Sequence, residues 1–209
     1  MVNNIELLAQ SALRIKYKDK IIYFDPFQIN AYSKDADYIF ITHPHYDHFN
    51  EDDLVNIMKD NTKIIVPIEL EGKCKALGFN NITCVSPNNE YNVEDINFKT
   101  VNAYNINKQF HPKESNWVGY LVNLNNEIIY VSGDTDIVDE IKNIKCDIAC
   151  ICIGGHYTCD YKEAVDFIKQ IKPKYAIPTH YKTVVGTVED AYNFKEELDG
   201  ICEVKILME

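Results

Sequence analysis

Short apolar runs rich in β-branched and aromatic residues recur along this chain, and polar turns separate them. Such runs predict buried strands. The first segment predicts two strands between Ile5 and Pro26, with a polar turn at residues 18–20. Further strands are predicted within segments 37–41, 63–67, 82–101, 119–124, 128–132, 146–153, 175–177 and 204–207. Apolar residues at helical spacing predict helices over residues 51–61, up to Leu77, 161–171 and 188–198.

Residues with capping and turn preferences mark where several of these elements end. Asn50 is a good N-cap, and the acidic residues 51–53 suit the positive end of a helix dipole. Gly78 suits a C-cap, and Asn125–Asn126 predicts a hairpin turn. The pattern alone therefore predicts an α/β or α+β protein, and 209 residues suffice for one sizeable core.

The strand over residues 37–41 runs directly into a cluster of three histidines and one aspartate. In an extended segment His43, His45 and Asp47 share one side, because side chains repeat every second residue. His48 breaks this alternation and can face a neighbouring point. Two adjacent ligand sets of this kind predict two metal ions, the arrangement with which hydrolases activate a water.

The His-x-His-x-Asp-His motif after a buried strand resembles the metal-binding signature of the metallo-β-lactamase superfamily. Two further motifs match it, Gly133–Asp134–Thr135 and Pro178–Thr179–His180–Tyr181, and each follows a predicted strand. The segments 103–105, 110–113 and 117–120 resemble the branch of metal-dependent hydrolases. The resemblance covers nearly the whole chain. It implies an α+β fold, the four-layer αββα sandwich, with one domain over residues 1–209.

The resemblance also implies a set of metal ligands. His43 and His45 would bind a first ion, and Asp134 would bridge it to a second. The second ion would be bound by Asp47, His48 and His180. Histidine and carboxylate ligands suit Zn²⁺, Mn²⁺ and Fe²⁺ alike, and the predicted cofactors are two divalent ions, with Zn²⁺ ahead of Mn²⁺ and Fe²⁺. Asp25 is either a turn residue before a proline or a contact that supports a ligand from beneath.

Asn105 is a departure from the superfamily pattern, because a third histidine of the first ion usually stands at this place. An amide is a weaker ligand for zinc than imidazole. Three arrangements stay open from the sequence: weak ligation by Asn105, replacement by His111 or His156, or a first site that is mostly empty.

The resemblance implies a hydrolase in which a metal-activated hydroxide cleaves a small ester, lactone or phosphodiester. Asp47 and His156 are predicted to act in catalysis, His156 as proton donor to the leaving group. The predicted substrate-binding residues are Asn105, His111, Lys113 and Tyr181, with Lys113 pairing an anionic group. The alternative is a metal-binding sensor or scaffold without turnover, which the departure at Asn105 keeps open.

Composition narrows the partners and the compartment. A net charge of −11 disfavours nucleic acid and anionic membranes, which leaves a small-molecule substrate and a homo-oligomer as predicted partners. Arg14 is the only arginine, so an anion clamp would rely on lysine or on metal ions. The odd number of cysteines, seven, and the lack of a signal peptide or a long apolar run predict a reduced, cytoplasmic protein.

Overall fold

Thirteen strands form two mixed sheets in the computed structural model, which describes residues 1–30 and 32–208. The first sheet has six strands in chain order: β1 (Ile5–Ala9), β2 (Ala12–Tyr17), β3 (Lys20–Phe24), β4 (Ala36–Phe40), β5 (Met58–Pro67) and β6 (Asn81–Val85). The second has seven, in the order β13 to β7: β7 (Glu90–Val93), β8 (Ile96–Asn102), β9 (Val118–Leu124), β10 (Glu127–Val131), β11 (Ile148–Cys152), β12 (Tyr175–Thr179) and β13 (Glu203–Val204).

Both sheets follow the same plan, an antiparallel meander that continues into parallel strands. In the first sheet β1 to β3 are antiparallel, and β3 to β6 are parallel. In the second, β7 to β10 are antiparallel, and β10 to β13 are parallel. The carboxyl ends of parallel neighbours lie at one edge of a sheet. One such edge, in the first sheet, therefore carries the loops after β3 and β4. The other, in the second sheet, carries the loops after β10 and β12.

An aromatic cluster fills the space between the two sheets. Phe40 of the first sheet stacks on Phe24 with ring centroids 4.8 Å apart. It also meets Phe98 and Tyr120 of the second sheet edge-on, at 5.1 and 5.2 Å. The buried Tyr120 hydroxyl donates to the carbonyl of Ile41 at 2.6 Å. The backbone that leads into the histidine motif is thus anchored to the opposite sheet.

Helices cover the outer faces, which completes the αββα sandwich. The helices are α1 (Glu51–Ile57), α2 (Glu71–Ala76), α3 (Tyr161–Ile171) and α4 (Val188–Glu197). The Asn50 side chain accepts from the Asp53 N–H at 3.1 Å, as its N-cap role predicts. Leu54 and Ile57 of α1 pack on the outer face of the first sheet. Among the described residues, no helix has the length and apolarity needed to cross a membrane.

One predicted strand count and two predicted element boundaries are wrong. The segment before Pro26 forms three strands instead of two, because the chain also turns at Gln10, which has a φ of 48°. No glycine or proline marks this turn in the sequence. The helix α1 ends at Ile57, and β5 begins at the next residue. The last strand is confined to Glu203–Val204. The hairpin turn is confirmed, since Asn125 and Asn126 have φ of 57° and 62° between β9 and β10.

Candidate metal centre

Loops from both sheets meet at one end of the sandwich and carry the candidate ligands there. The histidine motif follows β4, Asp134 follows β10, and His180 follows β12. The Thr42 carbonyl accepts from the Val118 N–H at 3.2 Å, which joins the histidine loop to the second sheet. The six predicted ligands do converge: His43, His48, Asp134 and His180 are nearly fully buried, Asp47 is buried, and His45 is half-buried.

Asp25 holds the histidine loop from beneath. Its carboxylate accepts from the Thr42 N–H at 2.8 Å and from the Thr42 hydroxyl at 2.7 Å. It also lies 2.7 Å from Nδ1 of His48. With Nδ1 engaged by this fully buried carboxylate, Nε2 of His48 is turned toward the ligand cluster. Of the two interpretations open from the sequence, the structure has the supporting contact.

Asp134 lies at the centre of the cluster. Its carboxylate oxygens are 2.9 Å from Nε2 of His180, 3.2 Å from Nε2 of His48 and 4.0 Å from Nε2 of His43. Gly133 makes this placement feasible. It has a φ of 62°, and a Cβ there would meet Thr42 Cβ at 2.9 Å. The turn after β10 can therefore place Asp134 against the histidine loop only because residue 133 is a glycine.

Three ligand groups can be distinguished by geometry, and within each group the ligand atoms lie within 4.8 Å of one another. They are His43, His45 and His111; His43, His48 and Asp134; and Asp47, His48 and His180. Among the described residues, several of these atoms are buried and close to one another without a well-directed hydrogen bond: Nε2 of His48, His111 and His180, and Oδ1 of Asp134. Buried polar atoms without partners are costly. Nitrogen and oxygen atoms that face one another in this way fit a divalent cation.

The carboxylates of the cluster favour positive charge on the groups around them. Burial alone would lower the pKa of His180, but Asp134 and Asp47 raise it to about 9. Asp134 and Asp25 likewise raise the pKa of His48 well above its usual value, against the effect of burial. Burial and the nearby His48 hold the pKa of His43 well below its usual value. His43 is therefore a neutral nitrogen donor, and the carboxylates attract cations.

The comparisons with known proteins point to the same family. A model of the beta-lactamase superfamily domain matches residues 4–180. The UPF0173 metal-dependent hydrolase of Thermoplasma volcanium is 31% identical over 188 residues, which are 84% of this chain and 82% of that protein. That of Staphylothermus marinus is 30% identical over 204 residues, 91% and 86% of the two chains. The chain belongs to the metallo-β-lactamase superfamily, in its branch of metal-dependent hydrolases.

A solved structure confirms the αββα fold of this superfamily member. The structure of a metallo hydrolase from the archaeon Ignicoccus hospitalis aligns with a TM-score of 0.81 at 21% identity. The alignment covers 98% of this chain and 94% of that chain. At this identity the likeness concerns the fold alone.

Asn105, where the superfamily usually has a histidine, contacts His111 through its side chain. Asn105 Oδ1 lies 2.9 Å from Nδ1 of His111, and its Nδ2 donates to the Tyr157 carbonyl at 2.8 Å. The Asn105 N–H also donates to the His111 carbonyl at 2.8 Å. Nε2 of His111 consequently points inward, 3.4 Å from Asp134. Of the three arrangements open from the sequence, the geometry matches replacement by His111.

Three residues predicted from the sequence to act on the substrate or the leaving group lie outside the cluster. Lys113 is exposed and lies 2.6 Å from a Glu140 oxygen. Tyr181 is fully buried, and its hydroxyl donates to the Met208 carbonyl at 2.6 Å. His156 is exposed, with its ring 4.5 Å from that of Tyr157. His156 is thus the one histidine of the six that the structure leaves out of the ligand groups.

Trp117, the only tryptophan of the chain, lies beside the first ligand group. Its ring is 5.1 Å from His43, 4.9 Å from His45 and 5.5 Å from His111. Its indole N–H donates to Glu69, which fixes the ring against the histidines. Indole fluorescence will therefore report on an ion such as Co²⁺ at this group.

Gln10 supports the candidate ligands from a distant part of the chain. Its backbone carbonyl accepts from the His180 N–H at 2.8 Å. Its fully buried amide donates to Asp47 at 3.3 Å and accepts from the Val184 N–H at 3.2 Å. Gln10, in the first hairpin, thus holds two residues of the third ligand group: Asp47 through its side chain and His180 through its backbone. No local signal marks this role, because a glutamine between two strands reads as an ordinary turn residue.

Replacing Gln10 with alanine is expected to weaken metal binding by the group of Asp47, His48 and His180 by about 10–100-fold. The group of His43, His45 and His111 should change little, because Gln10 touches none of its side chains. Chelator titration with metal analysis would measure metal binding at both groups. Quenching of Trp117 fluorescence by Co²⁺ would measure binding at the group of His43, His45 and His111. Gln170→Ala, at an exposed amide on α3, is the matched control. Equal weakening of both groups would contradict this role.

Proposed function

We propose that this protein hydrolyses a small ester, lactone or phosphodiester with two divalent metal ions. One observation carries the proposal: buried ligand atoms of two histidine groups face one another around the Asp134 carboxylate, and several of them have no well-directed hydrogen bond. We assign His43, His45 and His111 to the first ion, and Asp47, His48 and His180 to the second, with Asp134 between them. Ions held there would polarise the scissile group and promote its attack by water at neutral pH.

The chain's own residues hold this centre in place. Asp25 orients His48, Asn105 orients His111, and Gln10 orients Asp47. Contacts of this kind fix both the tautomer and the direction of a histidine ligand. Little rearrangement is then needed when the ions bind, which supports a catalytic centre over a loose cation site.

Asp47 is the residue that we propose for proton transfer. It lines the cavity above the ligand groups, and its Oδ2 is 3.5 Å from Nε2 of His180. A carboxylate at this place can accept a proton from the attacking water. His156, the other predicted catalytic residue, does not line that cavity.

The alternative, a metal sensor without turnover, rested on Asn105, which stands where the superfamily usually has a histidine ligand. His111 offers the nitrogen donor that Asn105 lacks, with its Nε2 buried and without a hydrogen-bond partner. The hydrolytic proposal is therefore the better supported of the two.

Metal removal tests the proposed function. Dialysis against a chelator should abolish hydrolysis of 4-nitrophenyl esters, simple lactones and bis(4-nitrophenyl) phosphate alike. Addition of Zn²⁺, Mn²⁺ or Fe²⁺ should restore it with a stoichiometry of two ions per chain. Full activity in the metal-free protein, or metal binding without turnover of any compound, would contradict the proposal.

A further inference from the structure

A small cavity opens directly above the ligand groups. It has a volume of about 280 Å³, near the lower limit of sites for small molecules, which begin at roughly 300 Å³. Five candidate ligands form one part of its lining: His45, Asp47, His111, Asp134 and His180. Tyr46, Phe110, Tyr157 and Val184 form the rest. The ligand part offers nitrogen and oxygen atoms, and the remainder offers mainly aromatic and aliphatic surface.

We infer that the substrate is an uncharged ester or lactone whose short apolar substituent lies against Phe110, Tyr157 and Val184, which we call the apolar wall. This inference rests on the proposed hydrolytic function and names the class of substrate for the same site. The reacting carbonyl would face the ligand groups, and the substituent would lie along the apolar wall.

The apolar wall is held rigidly. The rings of Phe110 and Tyr157 meet edge to face, with centroids 4.7 Å apart. The Tyr157 carbonyl accepts from the Asn105 amide, and the Val184 N–H donates to the Gln10 amide. These are the same two amides that orient His111 and Asp47. The wall therefore keeps a fixed distance from the reacting centre, so a substituent seated on it positions the scissile bond.

Charge argues against an anionic substituent. Among residues 1–30 and 32–208, no lysine or arginine lines the cavity. Lys108, in the loop before Phe110, lies 2.6 Å from an Asp136 oxygen and donates to the Thr158 carbonyl at 2.8 Å. Lys113 lies 2.6 Å from Glu140. An anionic substituent would lose its hydration on the wall without gaining a cation, and such a loss is costly.

The long-range field acts in the same direction. The net charge of −11 repels anions during their approach, whereas a neutral ester is unaffected. Positive charge from bound ions would act at the ligand end of the cavity, on the reacting group rather than on the substituent. The apolar wall thus disfavours an anionic substituent, and the field disfavours the approach of an anionic substrate such as a phosphodiester.

The reaction balances without any further reactant. The oxygen of water forms a bond to the acyl carbon, and the bond from that carbon to the alkoxy oxygen breaks. One proton of the water goes to the alkoxy oxygen, and the other goes to solvent as the acid ionises. The products are a carboxylate and an alcohol, joined in one hydroxy acid when the substrate is a lactone. No atom changes its oxidation state.

Matched esters test the inference on the metal-loaded enzyme. Each methylene that reaches the wall should raise kcat/KM about fourfold, so 4-nitrophenyl butyrate should exceed the acetate about fifteenfold. The butyrate should also exceed 4-nitrophenyl hemisuccinate, its anionic counterpart, by at least about tenfold. The ratio of butyrate to hemisuccinate should persist in molar salt, where the Debye length is about 3 Å. Salt screens long-range repulsion, whereas this ratio reflects the loss of hydration at the apolar wall. Hemisuccinate or bis(4-nitrophenyl) phosphate as the better substrate would overturn the inference.

Two variants separate the apolar wall from other effects. Phe110→Ala should lower kcat/KM for the butyrate several-fold more than for the acetate, and Phe110→Lys should shift the preference toward the hemisuccinate. Ile106→Ala, in the same loop at a residue that is 49% exposed and outside the cavity lining, is the matched control. An unchanged butyrate-to-acetate ratio in Phe110→Ala, with metal content preserved, would overturn the inference.

A binding experiment keeps the two proposals distinguishable if no compound is hydrolysed. Butyrohydroxamate and succinic monohydroxamate present the same metal-binding head with a neutral or an anionic tail. Their binding to Co²⁺-loaded protein can be followed by the fluorescence of Trp117. Tighter binding of butyrohydroxamate by at least about tenfold, without turnover, would support the apolar wall while the hydrolytic function fails. Equal or reversed affinities would overturn the inference about the wall itself.

Discussion

Replacing Asp134 with asparagine is expected to lower kcat/KM at least about 100-fold, since even residues that only support a ligand contribute 10–100-fold. The carboxylate is 3% exposed and lies within 4.0 Å of ring nitrogens from both ion groups. An amide has the same shape but no negative charge, so it cannot hold two cations together. Steady-state kinetics and metal analysis would measure the loss. Asp134→Ala should remove hydrolysis at least as completely.

The same substitution at Asp139 is the matched control, because that carboxylate is 90% exposed and pairs only with Lys142 among the described residues. Lys113→Ala should also have a far smaller effect than either Asp134 variant, since Lys113 is exposed and pairs with Glu140. A similar collapse of kcat in Lys113→Ala would show that this lysine acts in the reaction. Full metal content and activity in Asp134→Asn would exclude the bridging role.

Replacing His111 with alanine is expected to remove the first ion and leave the second. Without His111 the first ion would keep two nitrogen donors, His43 and His45, and only a share of the Asp134 carboxylate, which also serves the second ion. Metal analysis should fall from two ions to one per chain. Co²⁺ should then no longer quench Trp117, because this ring lies beside the first group.

Variants of Asn105 separate a ligand from a residue that orients one. Asn105→Ala should weaken binding of the first ion about 10–100-fold without abolishing it, because His111 remains as the nitrogen donor. What is lost is the side-chain hydrogen bonding of Asn105 to Nδ1 of His111 and to the Tyr157 carbonyl. Asn105→His should change affinity little if His111 already supplies the nitrogen. His156→Ala, at the exposed histidine, should bind both ions normally. Retention of two ions by His111→Ala would refute the assignment of His111.

The sequence predicted most of the candidate ligands because they stand at the ends of strands. The αββα fold alone brings the motif of His43 to His48 close to Asp134 and His180, which follow later strands. His111 is different, because it lies in a loop whose position depends on the pairing of β8 with β9 and on Asn105. Nothing in its local sequence distinguishes it from His156.

Supporting contacts were the least predictable part of the site. Gln10 acts through an amide that reaches residues 37 and 174 positions away, and no periodicity encodes such distances. Lys113 was predicted to bind an anion because its charge is visible in the sequence. Glu140, the residue that neutralises it, lies 27 positions downstream and becomes a neighbour only in the fold.

The spread of the ligands along the chain, from His43 to His180, has a consequence for folding. Neither sheet holds a full set of candidate ligands, so the proposed ions could bind tightly only after both sheets have assembled. They would then act as a late crosslink between the two halves of the sandwich. An ion present at 100 times its dissociation constant adds about 2.7 kcal/mol to the stability of the folded state. Removal of the proposed ions would thus lower the stability of the folded protein as well as its activity.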